Sequence, residues 1–264
     1  MKTKYYLTGF PRAGNTLLSS ILNQNPKINT TGLSFVNAMA YECFKNYSEL
    51  DTAKNFPDKK SFHNANGSFI DNYYKDWPGD IIIERTHAGL FTELEVIHKY
   101  NKNDIKFIVL VRDLFEVVCS FIKLFKEDKN FFMNKKYNND NLKIEALFSK
   151  ESIVSLSLDS IYNLYYGWHQ NCLFIQYNNL VTDTKNQINK IYDFLNIDSF
   201  DHSYTNLNQF KVNNIKYDDS VYGQQLHTIK TDKIEKTDNS EYMKYIPDMY
   251  FKKFNFTNNW LNEL

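Results

Sequence analysis

The 264-residue chain carries no net charge, with 31 basic and 31 acidic residues. A balanced chain has no global field to draw in a nucleic-acid backbone or an anionic membrane surface, so any anion site must be local. Cysteine is scarce: Cys43, Cys119 and Cys172 are odd in number, far apart and set in apolar surroundings. They form neither a disulfide frame nor a zinc pattern, and read as reduced core residues of an intracellular chain. No apolar run is long enough to span a bilayer, and no leader-like segment precedes the first strand pattern, which starts within a few residues of Met1. These absences predict a soluble, cytoplasmic protein without nucleic-acid or membrane partners. With 42% hydrophobic residues, the chain can bury a sizeable core, and a single domain over 1–264 is expected.

What is present begins at residues 8–16, Thr-Gly-Phe-Pro-Arg-Ala-Gly-Asn-Thr. They follow a short apolar strand at 5–7 and precede apolar residues at helical spacing over 16–25. A strand that stops at Gly9, turns through Pro11 and Gly14 and starts a helix near Asn15 aims backbone N–H groups and a positive helix end at one spot. The spacing from Gly9 to Gly14 and Thr16 is that of a nucleoside-triphosphate P-loop, but Asn15 stands where that loop has lysine. The cation lies inside the loop instead, as Arg12. Such a loop suits a single phosphate at the helix start better than a metal-bound triphosphate. A degenerate P-loop of a nucleotide kinase relative and a plain strand-turn-helix corner remain open on this motif alone.

Downstream, helices are expected at 34–47 and 61–74, broken at Phe56-Pro57-Asp58. A strand at 80–84 carries three isoleucines and leads into Arg85-Thr86-His87, ahead of a helix at 90–100. A strand at 106–111 and a helix at 113–125 repeat the pattern. This recurrence predicts an α/β fold, a doubly wound parallel sheet with a P-loop-like phosphate-binding loop, helices on both faces and a C-terminal cap. Ligands then bind at the carboxyl ends of the strands. Residues 126–141, rich in lysine, asparagine and aspartate, read as a mobile surface insertion. Helical spacing returns over 142–168, a strand follows at 172–177 and a helix at 183–195. Residues 206–236 read as a cap, and 247–261 as a closing helix with Pro247 in its first turn.

The second constellation is Arg112 at a strand end with Ser120 eight residues later, a little over two helical turns. A guanidinium offers a fork of donors matched to phosphate, and serine adds a neutral one. Arg112 could equally pair only with Asp113 or Glu116, leaving Ser120 in the core. The third is His87: an unperturbed histidine titrates near neutrality and can take a proton, or this one can stand idle at a strand end.

The loop from Pro11 to Thr16, the Arg112 to Ser120 register and Arg85-Thr86-His87 together resemble the sulfotransferases that use 3′-phosphoadenosine 5′-phosphosulfate (PAPS). Tyr177-Asn178-Asn179-Leu180 and Phe194-Leu195 resemble two further elements of that family, and the likeness runs over about 4–236. It implies transfer of a sulfuryl group to a hydroxyl or, less typically, an amine of a small-molecule or glycan acceptor, with no metal. By this resemblance Pro11, Arg12, Ala13, Gly14, Asn15 and Thr16 hold the 5′-phosphate. Arg112 and Ser120 hold the 3′-phosphate, Tyr177 lies near the adenine, and Lys230 with Lys233 approaches from the cap. Arg12 and Arg85 meet the charge that builds during transfer, His87 is the base with Glu84 as the weaker alternative, and His227 faces cofactor or substrate. The sequence departs from the family at Leu114, where proline is usual, and at Thr31–Ser34, where protein-tyrosine sulfotransferases have a glutamate pair. A P-loop kinase, and a catalytically silent nucleotide- or glycan-binding module of the same fold, are the competing readings. Aromatic residues, 16% of the chain, offer faces for a sugar or aromatic acceptor, although most must serve the core.

Overall fold

Five consecutive buried residues, Phe107–Val111, run through the interior of the sheet. A segment apolar on both faces needs cover on both, the condition met by an interior strand of a parallel sheet. A computed structural model describes residues 2–87, 89–101, 104–223 and 226–254. The chain runs β1 (Thr3–Gly9), α1 (Asn15–Leu22), β2 (Ile28–Leu33), α2 (Val36–Tyr47), α3 (Asp51–Asn55), α4 (Lys59–Tyr73), β3 (Ile81–Arg85), α5 (Phe91–Tyr100) and β4 (Phe107–Val111). It continues through α6 (Leu114–Glu127), α7 (Phe132–Lys136), α8 (Asp140–Leu147), α9 (Ile153–Gly167), β5 (Cys172–Gln176), α10 (Tyr177–Thr182), α11 (Thr184–Leu195) and α12 (Asp248–Phe254).

All five strands are parallel, in the order β2-β3-β1-β4-β5. After β3 the chain crosses β1 and builds the other half of the sheet. The crevice at the carboxyl ends of β1, β3 and β4 is therefore the topological switch point, where folds of this class take ligands. Register fixes what meets there: Leu7 pairs with Arg85, Gly9 with Leu110 and Val111 with Gln176, so Arg112 leaves β4 beside Tyr177. Both faces are covered. Ile82 packs with Val36, Ala40, Ile70, Tyr74 and Val96 from α2, α4 and α5 and the turn after α4. Its neighbour Ile83, pointing the opposite way, joins the larger core with Leu18, Val118, Ile161 and Ile188.

The strands expected at 5–7, 80–84, 106–111 and 172–177 are all present. The strand not expected is β2. Its Asn29, Thr30, Thr31 and Gly32 show neither an apolar run nor apolar alternation, yet Asn29, Thr30 and Thr31 are buried. Two of these side chains bond within the fold: Thr31 Oγ1 accepts from the Arg85 backbone N–H at 2.8 Å and Asn29 Nδ2 donates to the Pro78 carbonyl. The helix expected over 142–168 is two, α8 and α9, with Ser152 capping the second by accepting from the Ser155 N–H. The 126–141 segment, expected as an insertion, contains α7 and sends Phe131 and Met133 into the core. Cys43 is exposed on α2, a correction to its reading as a core residue; Cys119 is buried and Cys172 half-buried. The 206–236 segment has isolated pairings, Thr205 with Lys233 and Val212 with Ile215, and buries Leu207 and Phe210. The closing helix spans Asp248–Phe254, just after Pro247; residues 255–261 of that expectation lie outside the described residues. Among the described residues no helix is long and apolar enough to cross a membrane.

Candidate functional site

The loop after β1 is shaped by three residues with positive φ. Gly9 (φ 138) lies so close to β4 that a Cβ there would be 2.0 Å from the Leu110 carbonyl oxygen. Gly14 (φ 91) is the left-handed N-cap of α1. Between them Arg12 itself is left-handed, φ 63, a conformation costing a side-chain-bearing residue roughly 1–2 kcal/mol. Two side chains hold the loop in this form. Buried Asn15 donates from Nδ2 to the Phe10 carbonyl at 2.7 Å, and Arg112 Nη1 donates to the Arg12 carbonyl at 2.8 Å. The residue in the lysine position of a P-loop is thus a brace within the loop. Ala13 is buried beneath the turn, and Pro11 and Thr16 are half-buried at its two ends.

Arg12 and Arg112 converge on α6. Arg12 Nε donates to Ser120 Oγ at 3.1 Å and Nη1 to the Leu226 carbonyl at 2.6 Å. Arg112 is 5% exposed. Its Nε bonds Glu116 Oε2 at 3.0 Å and its Nη2 reaches the Thr237 carbonyl at 3.5 Å. Its guanidinium carbon sits 4.1 Å from the centre of the Tyr177 ring, a cation–π contact. The Tyr177 hydroxyl in turn accepts from the Thr237 N–H at 3.4 Å. Asp113 caps α6, accepting from the N–H groups of Phe115 and Glu116. Burial, and next the nearby Arg112, lower the Arg12 pKa. Two guanidinium groups confined beside a left-handed loop and a helix start form a site that an anion would relieve.

Arg85, at the end of β3, donates from Nη1 to the Tyr217 hydroxyl at 2.8 Å. That hydroxyl also accepts from the Leu33 N–H at 3.1 Å. The Tyr217 ring stacks on His227 with centroids 3.7 Å apart and planes within 8°. Asp219 holds His227 twice, through Nδ1 at 2.6 Å and through the backbone N–H at 2.9 Å. His87 follows Arg85, its pKa lowered by burial and then by that arginine. Glu84 is wholly buried below, and burial pushes its carboxyl up to about 7. Lys230 is an exposed residue paired with Glu235, to which Lys233 is also bound at 2.7 Å. Lys236 is the cap lysine 3.6 Å from Glu116 Oε1. The structure therefore brings together Arg12, Arg112, Ser120 and Tyr177, and sets Arg85 against the cap, while Lys230 pairs outward. Tyr217, Asp219 and Lys236 were not foreseen. They lie in a segment without periodicity, where only the joint presence of aromatic, acidic and imidazole groups could have hinted at a site.

A model of the sulfotransferase family matches residues 6–202, from within β1 to the turn beyond α11. The chain belongs to the sulfotransferase family. The matched span contains the loop, Arg85, Arg112, Ser120 and Tyr177, and ends ahead of the cap. Among solved structures, this family member is similar to the sulfotransferase of Alicyclobacillus acidocaldarius at 14% identity and a TM-score of 0.50, over 77% of this chain and 85% of that one. It is also similar to the sulfotransferase domain of a Synechococcus olefin synthase, at 19% identity and TM-score 0.49, over 93% of this chain and 94% of that one. A mouse sulfotransferase complexed with PAP matches at 18% identity and TM-score 0.49, over 76% of this chain and 61% of that one. At 14% identity the likeness to the Alicyclobacillus structure is one of fold. No curated protein matches the sequence.

Proposed function

We propose that this sulfotransferase-family protein moves a sulfuryl group from PAPS to a hydroxyl, or less typically an amine, of a small-molecule or glycan acceptor by in-line displacement. The carrying observation is the cluster in which Arg12 donates to Ser120 and Arg112 donates to the Arg12 carbonyl, with Tyr177 under the Arg112 guanidinium, beside the α1 N-terminus. PAPS presents two separated phosphates and an adenine ring, and this pocket offers two anion sites and an aromatic face. The loop N–H groups and Thr16 suit the 5′-phosphate, with Asn15 keeping the loop in shape. Arg112 and Ser120 suit the 3′-phosphate. Arg12 and Arg85 are the cations available to the sulfuryl oxygens, where fixed charge lowers the barrier most. Holding acceptor oxygen, sulfur and leaving oxygen in line is the other half of the rate.

Asn15 argues against a phosphotransferase. A P-loop kinase needs a lysine at that place on the β- and γ-phosphates, and here its stand-in is committed to the Phe10 carbonyl. Thermal unfolding of the wild-type protein with 3′-phosphoadenosine 5′-phosphate (PAP), ADP, or ATP with magnesium separates the readings. A ligand at 100 times its dissociation constant adds about 2.7 kcal/mol, and PAP alone is expected to do so. Stabilisation by ATP with magnesium and not by PAP would refute the proposal in favour of a kinase. Tight PAP binding with no PAP release from PAPS would reduce the protein to a silent binding module.

A further inference from the structure

We propose that the proton acceptor of the reaction is His227 of the cap, held by Asp219; the inference rests on the sulfuryl-transfer reading above. Three constraints fix this imidazole. Asp219 accepts from both its Nδ1–H and its backbone N–H, at 2.6 and 2.9 Å, which leaves the Nε2 lone pair as the site for a proton. Tyr217 lies flat against the ring at 3.7 Å, and is itself anchored through its hydroxyl to Arg85 and to the Leu33 N–H. The carbonyl of the preceding residue, Leu226, takes the Arg12 Nη1 donor at 2.6 Å. His227 is therefore tied on one side to Arg12 and on the other, through Tyr217, to Arg85. These are the two cations assigned to the transferring group, so a base at this point stands where the acceptor oxygen must arrive.

The charges around the ring suit the task. Burial, Arg85 and Arg12 lower the His227 pKa while the Asp219 contact raises it. Burial first, and then the two cations, favour the neutral ring that can accept a proton, and the carboxylate meets the imidazolium once it forms. At His87 the acting influences are burial and Arg85, both opposed to protonation. In the step, the acceptor oxygen forms its bond to sulfur and the sulfur–oxygen bond to the donor phosphate breaks. The hydroxyl proton passes to His227 Nε2 and PAP leaves with the electron pair.

The test compares wild type, His227→Gln, Asp219→Asn and His87→Gln in PAP binding by calorimetry and in PAP release from PAPS across pH, with water, phenol and glucose as acceptors. His227→Gln is expected to bind PAP within about threefold of wild type, to lose roughly 100-fold in release, and to lose the acidic limb of the pH profile. Asp219→Asn removes the influence that raises the pKa, so its limb should move to lower pH as the rate falls, whereas His87→Gln keeps the limb. Nitrogen-15 spectra of the imidazoles supply a readout independent of turnover, with the Nδ1–H tautomer expected for neutral His227. An Nε2–H tautomer, or an intact limb in His227→Gln with the limb lost in His87→Gln, overturns the inference while leaving the sulfuryl-transfer reading standing. Failure of the wild type to bind PAP removes that reading itself.

Discussion

Replacing Arg112 with alanine removes three hydrogen bonds and one ring contact from a side chain that is 5% exposed. Charge-assisted bonds contribute about 1.5–3 kcal/mol each, and the two short ones, to Glu116 Oε2 and the Arg12 carbonyl, dominate. The Tyr177 contact adds about 1 kcal/mol. Opposing terms are relief of repulsion with Arg12 and the ability of Lys236, 3.6 Å from Glu116, to take over that carboxylate. A net loss of about 2–4 kcal/mol follows, which lowers the midpoint of thermal unfolding by roughly 4–8 °C for a domain of this size. The more telling quantity is the shift that saturating PAP adds in each background. Alanine loses one of the two guanidinium groups and loosens the Arg12 turn that holds the other, so the ligand-induced gain of about 2.7 kcal/mol at 100 times the wild-type dissociation constant should all but vanish. Arg112→Lys restores charge without the fork and should recover only part of it. If Arg112→Ala unfolds earlier yet gains as much from PAP as wild type, Arg112 is a structural residue and the two-phosphate pocket is misassigned.

Gly9→Ala puts a methyl group 2.0 Å from the Leu110 carbonyl oxygen, which requires strands β1 and β4 to part; little folded protein is expected, measured by soluble yield and urea unfolding. Glu84→Gln should change the pH dependence of stability. The Glu84 pKa is raised to about 7 from 4.5 in the fold, so the unfolded chain ionises first, and wild-type stability falls as pH climbs from 4.5 to about 7, by on the order of 3 kcal/mol. Urea unfolding of the glutamine variant should lack that decline. Titration of native protein with a thiol reagent should consume one cysteine quickly, Cys43, because Cys119 is buried, Cys172 half-buried and burial pushes both thiols up to about 12.

The sheet was legible wherever burial on both faces forced a continuous apolar run, as at Ile81–Ile83 and Phe107–Val111. It was illegible at β2, an edge strand whose Asn29 and Thr31 side chains and Thr30 backbone N–H make bonds that composition does not announce. The loop, Arg112 and Tyr177 stand at strand ends, which converge in this topology, whereas Ser120 lies within α6 and was singled out by its eight-residue spacing from Arg112 in the family pattern. The cap could not be resolved in the same way. Its order comes from single side chains on backbone, such as Gln209, which donates to the Ile229 carbonyl and accepts from the Ile229 N–H. In so irregular a segment, spacing does not fix direction. Lys230 therefore turned out to pair with Glu235, and Lys236 approached Glu116 instead.

Arg12 and Arg85 each already have an acceptor from the cap, the Leu226 carbonyl and the Tyr217 hydroxyl. An anion entering between them would add bonds to the remaining N–H donors of each guanidinium and could also take the place of these two neutral oxygens. Its gain would then be a difference, since a bond to an ionised acceptor is roughly twice as strong as one to a neutral group. Departure would be eased by the same exchange, because the cap oxygens return as the product leaves and no guanidinium is left bare. To the extent that an anion displaces those oxygens, its binding would be weaker than the new bonds alone would give, and its release easier.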